Sequence, residues 1–100
     1  MVNKIKVMGA VFDIELVDEL KDFDNSTLWG DIQYSEMKIR IANKLHKRQI
    51  SRSILHEIFH AMSVENELNW NEKTVTKLSN IMFCVLIDNK QFFKDVLNGS

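Results

Sequence analysis

At 100 residues the chain can bury one modest core, so a single domain spanning residues 1–100 is expected. Its hydrophobic fraction of 45% is that of a globular protein, and no apolar run approaches the ~20 residues needed to span a bilayer, which argues against disordered and membrane-embedded classes and against a membrane partner. A net charge of −1 likewise argues against nucleic-acid binding as the main activity.

The first half of the chain alternates with period two. Ile5 and Val7 oppose Lys4 and Lys6 until Gly9-Ala10 interrupts the strand. Phe12, Ile14 and Leu16 then alternate with Asp13 and Glu15, giving a second half-buried strand and a hairpin. Asp18 to Thr27 is polar and turn-rich, with its tip expected at Asp24-Asn25-Ser26. Leu28, Ile32 and Tyr34 alternate with Trp29, Asp31 and Gln33. After a turn near Ser35-Glu36, Ile39 and Ile41 alternate with Lys38 and Arg40. The simplest arrangement is two hairpins in one antiparallel sheet of about four strands.

The second half changes to helical spacing. Ile50, Ile54, Ile58, Ala61 and Met62 form one stripe from about Gln49 to Glu65. Asn66 to Asn71 is a polar break containing Trp70. A second helix is expected from about Asn71 to Asp88, with Val75, Leu78, Met82 and Val85 inward, and a short third helix carries Phe92, Phe93, Val96 and Leu97 and ends near Asn98-Gly99. Strands followed by helices define an α+β domain.

Cys84 is the sole cysteine, which excludes an internal disulfide and points to a reducing cytoplasm. It lies in the run Ile81–Ile87, where a buried structural thiol is expected. The opening residues Met1-Val2-Asn3-Lys4-Ile5-Lys6 turn polar too soon for a secretory signal. Charge is segregated. Asp13 to Asp24 holds six acids and one base, and Lys38 to Arg52 holds six bases, His46 and no acid. Solvated faces are the simple explanation, and a surface that orients a charged substrate or protein partner is the sharper one.

The chemistry concentrates in His56-Glu57-Ile58-Phe59-His60, an HExxH sequence that takes two of the three histidines in the chain. Residues four apart lie on one helical face about one turn from each other, so both imidazoles can reach one metal ion, zinc above all. Glu57, offset by one residue, can approach a water at that ion without being a ligand. The structural alternative is two histidines on a helix flank beside a solvated glutamate.

Catalytic zinc takes three protein ligands, so a third is needed from another element. Glu65 points to the apolar side of its helix, Glu67 lies ~10 Å further along the axis than His60, and Asp88 sits at the far end of the second helix. Glu72, in the first turn of the second helix, is the choice. Asn69 with Glu72 also forms an Asn-x-x-Glu capping pattern, so Glu72 as a helix cap is the competing assignment.

The stretch Leu55 to Ala61, with Asn71 to Leu78 downstream and the strand pair around Gly30–Tyr34 and Lys38–Ile41, resembles small gluzincin-type metallopeptidases. It is especially similar to short phage and prophage proteins of the ImmA/IrrE type, also called minigluzincin-like. That resemblance implies a zincin-like metallopeptidase domain with one zinc per chain on His56, His60 and Glu72, Glu57 as general base, a peptide or protein substrate, and a bacterial or phage-infected host cytoplasm.

A second electrophilic donor in the hydrolysis could come from Tyr34 or His46, and an extended substrate could add to an exposed edge strand at Lys38 to Ala42. The alternative from another class is a zincin-fold binding protein that inhibits a host protein without proteolysis.

Overall fold

The computed structural model describes residues 3–21 and 28–99, so the expected loop tip at Asp24-Asn25-Ser26 lies outside the described residues. In chain order the elements are β1 (Lys4–Val7), β2 (Ala10–Val17), β3 (Gly30–Gln33), β4 (Lys38–Ala42), α1 (Lys47–Glu65), α2 (Glu72–Asp88) and α3 (Lys90–Gly99). The fold is α+β, as the sequence pattern predicts.

Both expected hairpins form. Val7 pairs with Ala10 across a two-residue turn in which Met8 and Gly9 both have positive φ, 50° and 95°. Glycine suits the second position because it has no Cβ to clash there. β3 and β4 pair antiparallel from Gly30↔Ile41 to Gln33↔Lys38. The hairpins are joined by a parallel pairing, Asp13↔Lys38 through Val17↔Ala42, and the sheet order is β1-β2-β4-β3. The sheet is therefore mixed, not wholly antiparallel. β4, expected as an exposed edge, is an inner strand paired on both sides, and β3 is the edge strand on that side.

The parallel register also accounts for part of the charge segregation. It sets the acids of β2 beside the bases of β4 on the sheet's outer face, where Lys38 Nζ lies 3.3 Å from Glu15. Lys4 reaches Asp13 at 2.9 Å, and Arg40 Nε donates to Asp31 at 2.9 Å. The Lys4 hydrogen bond holds the Asp13 carboxyl below its usual range. The Lys4–Asp13 and Lys38–Glu15 pairs are exposed and chiefly fix strand pairing, while Arg40–Asp31 is partly buried.

On the opposite face Phe12, Ile39 and Ile41 are fully buried beneath α1, with Val7, Ile54 and Ala61 completing the core. α2 packs on α1 through Val75 and Ser79, the two buried residues it contributes. Leu78, Met82, Phe83, Leu86 and Ile87 are half-buried, and much of the remaining surface of α2 is exposed. Cys84, expected in the core, is exposed, and so is Val85 at 39%. The apolar run 81–87 wraps around the helix, while only one side of α2 meets α1. α3 buries none of its residues, and Phe92 is 60% exposed.

Candidate metal centre and adjoining cleft

The local sequence explains how two helices deliver one cluster. His46 is the N-cap of α1, where its backbone N–H donates to the Gln49 side chain at 2.9 Å. After α1, Asn66 Nδ2 donates to the Met62 carbonyl at 2.8 Å, and the chain turns through Glu67 and Asn69, both at positive φ. Trp70 then anchors the connection. Its backbone N–H donates to Ser63 Oγ at 2.9 Å, and its ring stacks on Phe59 with centroids 6.3 Å apart. This folds α2 back along α1 and brings its first residue, Glu72, to the middle of α1.

There both oxygens of Glu72 are engaged. His56 Nε2 lies 2.8 Å from Oε1, and His60 Nε2 lies 2.7 Å from Oε2. The imidazole centroids are 4.9 Å apart. Among the described residues His56, His60 and Glu72 form the group able to hold a metal ion, with their donor atoms within 4.8 Å of one another. Glu65, Glu67 and Asp88 are not part of it.

Asn71, not Asn69, is the N-cap of α2, and its side chain accepts from the Thr74 N–H at 2.8 Å. Glu72 is therefore the first helical residue, two positions too early for the box that Asn69 suggested. Its carboxylate meets the imidazoles, and capping is done by its neighbour.

The donor set suits zinc: two imidazole nitrogens and one carboxylate oxygen. Zinc bonds of ~2.0–2.1 Å in tetrahedral geometry separate ligand atoms by about 3.3 Å. Each N···O distance thus needs to open by roughly half an ångström. The Glu72 side chain, 69% exposed, has the freedom to do so. Burial holds the His56 imidazole below its ordinary pKa, with the His60 charge acting the same way and Glu72 opposing. That favours the neutral form a metal requires.

Glu57 is 5% exposed, in contrast to the solvated glutamate of the structural alternative. Burial first, then the charges of Glu72 and Asp31, push its carboxyl up to about 8. Gly30 makes room for it: a Cβ there would stand 2.9 Å from Ile41 Cδ1, 3.1 Å from the Arg40 carbonyl and 3.5 Å from Glu57 Oε2.

Neither Tyr34 nor His46 lines the cleft beside the cluster. His46 lies ten residues before His56 at the start of α1, ~15 Å away along the axis. Tyr34 sits in the β3–β4 turn with its ring edge-on to Phe12 at 6.1 Å. Burial raises its pKa, with smaller contributions from Glu57 and Glu65.

A cleft of about 420 Å³ opens beside the cluster. Leu28, Trp29 and Gly30 form one wall, and Arg52, Ser53, Thr76 and Asn80 continue it along the groove between α1 and α2, with His56, Glu57 and Glu72 at the cluster end. Ser53 is 6% exposed and its hydroxyl has no hydrogen-bond partner. Sequence patterning missed these lining residues because three separate elements supply them. The one available signal was Arg52, a helical turn before His56 on the same face.

Comparison with known protein families, curated proteins and solved structures returns no match, so the reading of the site rests on its own geometry.

Proposed function

We propose that the protein is a zinc-dependent metallopeptidase. The observation that carries this reading is the convergence of His56 and His60 on the Glu72 carboxylate, 2.8 and 2.7 Å away, with the buried Glu57 beside them. The resemblance to small gluzincin-type proteins of phage and prophage supports the same assignment, and the lone Cys84 agrees with a cytoplasmic setting.

Zinc bound by His56, His60 and Glu72 would supply a Lewis acid that polarises the scissile carbonyl and acidifies water. The chain's own groups do the rest. The imidazoles of His56 and His60 and the Glu72 carboxylate would hold the ion. Glu57, once ionised, accepts a proton from the attacking water and passes it to the leaving amine. Burial keeps the Glu57 carboxyl protonated up to about pH 8, and its ionised form would be favoured by a cation held at the cluster. The cleft beside the cluster would position the peptide. The free edge that borders this site belongs to β3, so strand addition is assigned to Gly30–Gln33 in place of Lys38–Ala42.

The test is hydrolysis of an unfolded protein or a fluorogenic peptide library by zinc-loaded protein. Cleavage is expected, with its loss on chelation and in Glu57→Gln, whose amide cannot take the proton. Full zinc occupancy without cleavage of any substrate would instead assign the fold to binding and inhibition of a host protein. No helix is long and apolar enough to cross a membrane.

A further inference from the structure

The cleft beside the cluster contains one permanent cation. Arg52 lines it one helical turn before His56, yet among the described residues it has no carboxylate partner. Its guanidinium lies over the Phe83 ring, 5.1 Å from the centroid, at the boundary with a neighbouring cleft that Arg52 also lines, a contact that leaves the charge unneutralised. Asp88, the acid nearest this end of α2, lines the neighbouring cleft with Arg48 and Arg52 but makes no ion pair with either. Arg48 shares the same ring at 5.8 Å from the side of the neighbouring cleft.

Three further features give the cleft a direction. Ser53 lies at its wall with a buried hydroxyl lacking any partner. Thr76 and Asn80 add polar groups from α2, and Leu28 and Trp29 offer an apolar wall to the stem of a side chain. Negative charge is confined to the cluster end, where Glu57 and Glu72 are committed to the chemistry. Away from the cluster the lining offers a ligand the unpaired Arg52 and the partnerless Ser53 hydroxyl. Guanidinium recognises carboxylates in bidentate geometry, and a buried hydroxyl with no partner gains from an acceptor brought by a ligand.

We infer that this cleft is a specificity pocket for a carboxylate-bearing residue of the peptide substrate, with Arg52 as the recognising cation and Ser53 as the second donor. The inference rests on the metallopeptidase reading for what lies at the other end of the cleft. The carboxylate can belong to an internal Asp or Glu side chain or to the chain's own C-terminus.

The experiment measures binding, so it does not depend on turnover. Full-length Glu57→Gln protein, zinc-loaded and metal-free, is titrated by calorimetry with acetyl-Ala-Glu-Ala-amide, its Gln and Lys counterparts, and acetyl-Ala-Gln-Ala with a free C-terminus. A carboxylate peptide should bind at least about tenfold tighter than the capped Gln peptide. Preference for the Glu side chain assigns an internal acid, and preference for the free terminus assigns a chain end. Arg52→Gln should abolish the preference, Arg52→Lys should restore part of it, and Arg52→Glu should shift it toward the Lys peptide. Because Arg52 is exposed, these variants are expected to melt like the parent, and a melting curve checks each. Persistence in metal-free protein separates Arg52 recognition from a carboxylate lying on the metal.

Equal affinities for Glu, Gln and free-terminus peptides in protein carrying Arg52, or a preference that survives Arg52→Gln, would overturn the inference. Peptide hydrolysis without carboxylate preference rejects the pocket and leaves the metallopeptidase standing. Carboxylate preference without hydrolysis in the wild type does the reverse.

Discussion

In the metal-free protein the Glu57 carboxyl is surrounded by β3 and α1, 5% exposed and with a pKa of about 8 against an ordinary 4.5. The folded state therefore holds a proton that the unfolded chain releases near pH 4.5. The resulting stabilisation is fully present below pH 4.5, declines as pH rises, and is gone above about 8. The depressed His56 pKa acts in the opposite sense within the same window, so the contribution of Glu57 is read as a difference between variants. In urea denaturation with chelator, Glu57→Gln, which stays neutral, should gain stability relative to wild type as pH rises from 4.5 to 8 and unfold at higher urea than wild type at pH 8. A difference between the two midpoints that does not change across the window would show that Glu57 is not held protonated.

Glu72 is the second residue whose chemistry can be isolated. Because Asn71 caps α2, Glu72→Gln should leave the metal-free melting temperature nearly unchanged. An amide is a poor zinc ligand, so zinc affinity should fall by more than about a hundredfold. Equal affinities in parallel titrations would return Glu72 to a purely structural role.

At the scale of elements, the position of α2 decides whether the cluster exists. Trp70 ties the connection to α1 through Ser63 and Phe59, so Trp70→Ala should cost about 2 kcal/mol and weaken zinc binding without altering any ligand. Unchanged affinity would mean that α2 docks without that anchor. Gly30→Ala should also destabilise, since its Cβ would press on the fully buried Ile41 and on the backbone of β4. Thermal melting reads both.

Much of this level was legible in the sequence. The 3.6-residue stripes give α1 and α2 with their ends, and the period-two runs give both hairpins. The parallel β2–β4 pairing was not legible, because alternation says which face of a strand is buried but not which strand lies beside it. Asp13, Glu15, Lys38 and Arg40 look like separate charged faces until that pairing sets them side by side. HExxH is local and could be read directly. Glu72 remained ambiguous because Asn69, three residues before it, suits a capping box, and it is the structure that moves the cap to Asn71, after a turn with positive φ at Glu67 and Asn69. Cys84 misled for a similar reason: a continuous apolar run does not reveal how many sides of its helix find cover.

For the molecule as a whole, stability resides in the sheet, α1 and the inner side of α2. α3 buries no residue and makes its main contact with the end of α2. Removing residues 90–100 should therefore lower the melting temperature by less than about 5 °C and leave zinc affinity intact. A much larger fall would show that the α3 surface, including the exposed Phe92, is covered in solution.

The central claim is that this fold assembles a zinc site from one face of α1 and the first residue of α2. Equilibrium dialysis of the full chain against zinc, read by elemental analysis, tests it most directly. The wild-type protein should retain about one zinc per chain, and His56→Ala and His60→Ala should each retain no stoichiometric metal while keeping the wild-type circular dichroism spectrum. A wild-type protein that holds no zinc, or folded histidine variants that bind it equally well, would contradict the claim.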